Sequence, residues 1–203
     1  MGAGQSGYDV RHGSDLDVPG LASVTLVSPE GVEATFVPDA GMVGTSLTLD
    51  GLDVLARRGG MTAYLGKGST FGIPLLAPWA NRLSSSAQTV GDTTWTVAVG
   101  DPRVHGDDNG HAIHGLLAGA AEWSIEHAGA SDDAAVLRAR LRFDESLDCF
   151  AQFPFRHDLV VTVELAGTVL RVTTELDAVG EQAVPVAFGW HPWFDFPDVP
   201  RAE

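Results

Sequence analysis

A chain of 203 residues with 44% hydrophobic and 19% charged side chains has the apolar material for one packed domain and too few charges to stay solvated and disordered. Its 27 acidic residues against 12 basic ones give a formal net charge of −15, and the cations are scattered. Nucleic acid and anionic membrane, which demand dense Lys and Arg against phosphate, are therefore excluded as partners, while a small neutral ligand such as a sugar meets no such penalty.

Residues 1–20 lack the apolar stretch of a signal peptide and are expected to form a disordered tail ahead of a single domain over residues 21–203. No segment approaches the roughly 18 consecutive apolar residues of a membrane-spanning helix, so the expected compartment is the cytoplasm. Strand candidates follow at residues 24–27, 32–37 and 45–49, separated by Gly, Pro, Asp or Ser. Residues 66–86 (GKGSTFGIPLLAPWANRLSSS) then break the alternation. A further strand is expected at 94–99, and a second irregular segment at 100–119 (GDPRVHGDDNGHAIHGLLAG). Loops of that length in a compact domain are usually functional, which directs the search for chemistry to both of them and to GWHPWFDFP near the end.

After a candidate strand at 123–127, period-two alternation dominates. Leu137, Ala139, Leu141 and Phe143 fall on one face and Arg138, Arg140 and Arg142 on the other, the pattern of a half-buried strand. Leu159, Val161, Val163 and Leu165, then Leu170, Val172, Thr174 and Leu176, repeat it on either side of Ala166-Gly167. That predicts an antiparallel hairpin with the Gly at positive φ. The single cysteine, Cys149, allows no internal disulfide; with no His or basic cluster beside it, it reads as a small packing residue in a reducing compartment. A last strand is expected at 184–188. No segment sustains a 3.6 period, so the expected architecture is all-β, a sandwich.

Three constellations carry the candidate chemistry. Asn81-Arg82, after Pro78-Trp79, reads either as a loop-anchoring amide beside a surface cation or as a pair addressing ligand hydroxyls. His114 and His191, flanked by Gly or Pro and apolar residues, read as structural imidazoles or as proton-transfer groups suited to neutral pH. His105, His111 and His114, with Asp107 and Asp108 close by, raise a metal site, but the His111-x-x-His114 spacing is loose, no cysteine ligand accompanies it, and no metal is expected.

The segments FGIPLLAPWANRL, AIHGLL, Phe153-Pro154-Phe155 and PVAFGWHPWFDFP, in that order, resemble the aldose 1-epimerase family over residues 20–203. The resemblance implies a large antiparallel β-sandwich of the galactose mutarotase type. It also implies interconversion of the α and β anomers of a free aldose by acid/base ring opening, within hexose metabolism and with no cofactor. On that resemblance His191 corresponds to the histidine that protonates the ring oxygen, and His114 to the second histidine, which hydrogen-bonds the sugar and its developing charge. Arg82 corresponds to the arginine that binds sugar hydroxyls, with Asn81 beside it. Trp193, where the family often has Tyr, offers an apolar face to a pyranose.

The family's general base is a glutamate, and a substrate-binding aspartate precedes it, both downstream of the His-Pro segment. The chain is therefore expected to be incomplete at its C-terminus and to lack that base; Asp195, Asp198 and Glu203 lie too close to His191 to be equated with either acid. Leu176-Asp177-Ala178 stands where many relatives have an Asn-containing turn, which implies a divergent branch. Two other classes stay open, a non-catalytic carbohydrate-binding module and a cupin-like metal-dependent β-sandwich enzyme.

Overall fold

The computed structural model describes residues 7–196. In chain order the strands are β1 (Asp9–Ser14), β2 (Ala22–Val27), β3 (Val32–Val37), β4 (Val43–Leu49) and β5 (Leu52–Asp53), then helix α1 (Gly60–Lys67) and β6 (Leu75–Leu76). There follow β7 (Ala87–Val90), β8 (Thr93–Thr96), β9 (Ser124–Ala130), β10 (Ala135–Phe143), β11 (His157–Ala166), β12 (Val169–Ala178) and β13 (Gly189–Trp190). Strands β1 to β5 form one antiparallel sheet in sequence order, and a second has the order β12-β11-β10-β9. β2 packs on β10 and β11, so the two sheets face each other across one core, as the all-β sandwich reading requires.

Alternation decides which face is buried. Leu137, Ala139, Leu141 and Phe143 on β10 and Leu159, Val161, Val163 and Leu165 on β11 are essentially inaccessible, each such large side chain contributing about 1.5–3 kcal/mol of burial. The opposite face of β10 carries Arg138, Arg140 and Arg142. Arg140 bridges Glu126 on β9 and Asp158 on β11 at 2.5 and 2.8 Å, and Arg138 reaches Glu126 and Glu175 at 3.0 and 2.9 Å. Surface pairs of this kind, in which only Asp158 is buried, are each worth about 0–1 kcal/mol, so the ladder specifies register more than it adds stability. The predicted hairpin closes as Ala166 pairs with Val169, with Gly167 at φ 59°.

Three expectations are corrected. Residues 9–14 do not belong to a disordered tail: β1 pairs with β2 from Asp9 opposite Val27 to Ser14 opposite Ala22. The Tyr8 hydroxyl accepts a hydrogen bond from the Gly167 backbone N–H at 2.7 Å, which ties this end of the chain to the distant hairpin. Residues 60–67 form a helix, where none was expected. It buries Gly60, Met61 and Tyr64, the last two packing with Phe71, Val37 and Val43, too few turns to display a period, and stops at Gly68, whose N–H meets the carbonyls of Ala63 and Tyr64. The strand expected at 184–188 makes no ladder; Ala187 bridges Trp79 singly, and pairing resumes only where β13 meets β6. No helix among the described residues is long and apolar enough to cross a membrane.

Candidate active site

Three irregular segments converge beside the β6/β13 pair. After β6 the chain runs through a cis Ala77-Pro78 bond to Trp79, and residues 81–83 then pair with 112–114. Leu83 N–H donates to Ala112 O at 2.9 Å, and His114 N–H to Asn81 O at 2.9 Å. Asn81 and His114 both sit at positive φ, 58° and 68°, a backbone state that turns each out of its strand direction. After β13, His191 N–H donates to Pro74 O at 3.2 Å and Trp193 N–H to Gly72 O at 2.8 Å, which fixes the last segment against the first.

Between them lies a cleft of about 580 Å³, and Asn81, Arg82, His114, Trp190, His191 and Trp193 all line it. Asn81, Arg82, His114, His191 and Trp193 thus share one cleft, whereas His105, His111, Asp107 and Asp108 do not line it. The two imidazole centroids are 5.8 Å apart with planes at 79°, and Trp193 stacks on His191 at 4.8 Å and 18°. Trp190 forms another wall and donates its indole N–H to Thr174 on β12 at 2.9 Å. A smaller hollow of about 220 Å³ at Arg142, Glu145, Arg156 and His157 is of a different character, its arginines being already paired with Asp158 and Glu145.

Arg82 is held rather than free. Its Nε donates to Asp107 at 2.6 Å and one terminal nitrogen donates to Asn81 Oδ1 at 3.1 Å, leaving the rest of the guanidinium for the cleft. Asp107 is in turn fixed by the backbone N–H groups of His111 and Asn109, both at 2.9 Å. The His111 N–H above all, then Arg82, holds its carboxyl down to about 2. Asp107 is therefore an ionised strut for Arg82 and not a proton acceptor. Among the described residues no group of three or more His, Cys, Asp or Glu side chains converges to hold a metal ion, and His111 is exposed to solvent.

Burial lowers the proton affinity of His114, with the neighbouring charges of His191, Arg82 and His105 acting in the same direction. Burial also lowers His105, and it lowers His157, stacked under Phe143, in spite of its hydrogen bond to Phe155 O. All three favour the neutral imidazole at neutral pH. An imidazole whose folded-state proton affinity is depressed binds its proton more readily in the unfolded chain. The stability it contributes is thus complete above about pH 6.5 and is lost as pH falls from there toward the folded value. Melting temperature is expected to decline between about pH 7 and pH 5, before depressed carboxylates such as Asp107 begin to matter, and to decline less in His157→Phe. A melting temperature that is flat or rising over that interval would refute this.

Sequence alone did not flag Arg58, Thr70 or Trp190, which also line the cleft. Arg58 comes from a segment outside the irregular stretches, and Thr70 lies within 66–86 just ahead of the FGIPLLAPWANRL motif, where no local pattern distinguishes it. Of the acids near the end, Asp195 is exposed and its N–H donates to Val54 O at 2.9 Å, while Asp198 and Glu203 lie outside the described residues.

Comparison with solved structures places the fold. The chain superposes on a galactose mutarotase-like protein from Clostridium acetobutylicum with a TM-score of 0.78 at 19% identity, covering 95% of this chain and 55% of that one. It superposes on galactose 1-epimerase from Lactobacillus acidophilus NCFM at 0.61 and 15% identity, covering 84% and 48%. A galactose mutarotase-like protein from Lactobacillus casei ATCC 334 gives 0.61 and 18%, covering 85% and 49%. The chain spans about half the length of these structures. A search of curated protein sequences finds no match. The family model described as aldose 1-epimerase matches residues 22–203, so the chain belongs to the aldose 1-epimerase family.

Proposed function

We propose that this cleft interconverts the α and β anomers of a free aldose, as part of hexose metabolism. The observation that supports this best is the meeting of two imidazoles, 5.8 Å apart, with a braced Asn81-Arg82 pair in one cleft of a family member. Ring opening moves two protons. An acid protonates the ring oxygen as the bond from that oxygen to the anomeric carbon breaks, and a base removes the anomeric hydroxyl proton as the carbonyl forms. Rotation about the adjacent C–C bond followed by closure, with the same transfers reversed, yields the other anomer.

In this reading His191 protonates the ring oxygen, a step worth about 10²- to 10⁴-fold. His114, neutral at working pH, hydrogen-bonds the sugar near the charge that develops, while Arg82 and Asn81 fix the hydroxyls and so the distance over which the proton moves. The anomeric proton requires a base. The family resemblance gives that role to a glutamate beyond the His-Pro segment, and no carboxylate among the described residues lines the cleft. Proton transfer of this kind asks for no cofactor.

Polarimetry tests the reading. Freshly dissolved α-D-glucose or α-D-galactose should approach its equilibrium rotation faster with a full-length version of the protein, one that supplies the glutamate base, than in buffer. Saturable sugar binding with no acceleration across a panel of aldoses would replace the enzyme with a carbohydrate-binding module.

A further inference from the structure

We propose that Arg58 and Trp193 are positioning residues for His191, forming a stack of guanidinium on indole and indole on imidazole that aims the acid; this rests on the acid role proposed above for His191. An acid/base histidine is ordinarily oriented by a hydrogen bond to its second ring nitrogen. Here neither ring nitrogen of His191 has a hydrogen-bond partner among the described residues; its one protein hydrogen bond is from the backbone N–H to Pro74 O. What touches the imidazole is aromatic: Trp193 lies nearly parallel to it at 4.8 Å, and His114 meets it at a steep angle.

Trp193 is built to stay where it is. Its N–H donates to Gly72 O at 2.8 Å, its carbonyl accepts from Ala56 N–H at 2.9 Å, and its indole N–H donates to the buried Thr70 hydroxyl at 3.2 Å. The remaining constraint is Arg58, whose guanidinium carbon sits 4.0 Å from the Trp193 ring centroid. Arg58 is the one arginine among the described residues without an ion pair. In a chain carrying 27 acidic residues, its charge is committed instead to an aromatic face.

The loop beneath Arg58 is braced for that purpose. Arg58 is held at φ 48°, a state that L residues adopt only when the surroundings impose it. Gly60 N–H closes the turn on Arg57 O at 2.7 Å. Asp17 pins both sides, accepting from Arg57 at 2.7 Å and from Met61 N–H at 3.0 Å. A contact path therefore leads from Asp17 through the loop and Arg58 to Trp193 and His191. Trp193 becomes an orienter of the acid, in place of the sugar platform that its ring alone suggests.

The test is carried out on the full chain with histidine labelled with carbon-13 at Cε1, the His191 signal being identified by its loss in His191→Asn. In the parent, that signal should be displaced by the indole ring current. It should return toward the position of a free histidine in Trp193→Leu, move part of the way in Arg58→Ala, and stay near the parent position in Arg58→Lys. An unmoved signal in Trp193→Leu overturns the stack, and an unmoved signal in Arg58→Ala overturns the part given to Arg58. Kinetically, Trp193→Leu should lower kcat about tenfold with KM within about twofold, whereas a raised KM at unchanged kcat would make Trp193 a sugar platform and overturn the proposal. Absence of acceleration by the parent protein would count against the mutarotase reading alone, since the resonance measurement needs no substrate.

Discussion

In a full-length version that supplies the base, replacing His191 with Ala is expected to lower kcat for anomer exchange by about 10²-fold or more, while the melting transition stays close to that of the parent. The two halves of this expectation have separate grounds. The side chain is half-buried at the cleft, makes no hydrogen bond to the described residues and leaves its backbone anchored to Pro74, so its removal costs the fold little beyond the contact with Trp193. Truncations away from the core usually stay within about 1 kcal/mol. The chemistry has no such reserve. The only other imidazole among the described residues lining the cleft, His114, is held toward the neutral form by burial and by the charge of His191 itself. It is a poor substitute donor at neutral pH. Because proton donation matters in the transition state and not in binding, kcat and kcat/KM should fall together. Equal activity in the variant would remove His191 from the acid role.

The sheets were legible because their information is local. In β10 and β11 a period of two separates Leu137, Ala139 and Leu141 from the three arginines, and burial of one face enforces that separation. β1 was not legible: its run DVRHGS is mostly polar and exposed, and what orders it is pairing with β2 and the contact of Tyr8 with Gly167. Helix α1 was missed for a related reason, since its buried residues touch Phe71 and Val43 across the chain and not each other in a long periodic stripe. At the site, residue types were readable and their meeting was not. Asn81, His114 and His191 come together through the pairing of 81–83 with 112–114 and of β6 with β13, contacts that no short window of sequence encodes. Arg58 is the extreme case. Without the turn at 57–60 and its brace to Asp17, nothing distinguishes it from a surface cation.

That pairing hangs on Gly115, and Gly115→Ala is expected to destabilise the protein by about 3 kcal/mol or more and to lower activity with it. Gly115 follows His114 directly and sits at φ 78°, so an L side chain there carries about 1–2 kcal/mol of backbone cost before any contact is considered. The contact adds the larger share. A Cβ would lie 2.0 Å from Ala77 O and 2.4 Å from Ala77 C. The obstacle is backbone that cannot step aside, because Ala77 O already accepts from Leu116 N–H at 2.7 Å and Leu117 N–H at 3.2 Å. Relief must come from displacing residues 114–117, which carries His114 away from Asn81 and opens the floor of the cleft. The molecule supplies its own control in Gly167, which has a similar φ of 59° and where an added methyl group would meet nothing within 4 Å. Gly167→Ala should therefore cost only about 1 kcal/mol and leave activity unchanged. At roughly 2–4 °C per kcal/mol for a chain of this size, melting temperatures separate the two variants readily. Equal shifts in both would mean that the Ala77 carbonyl does not set the position of His114, and that the cleft floor has the freedom to re-form around an added methyl group.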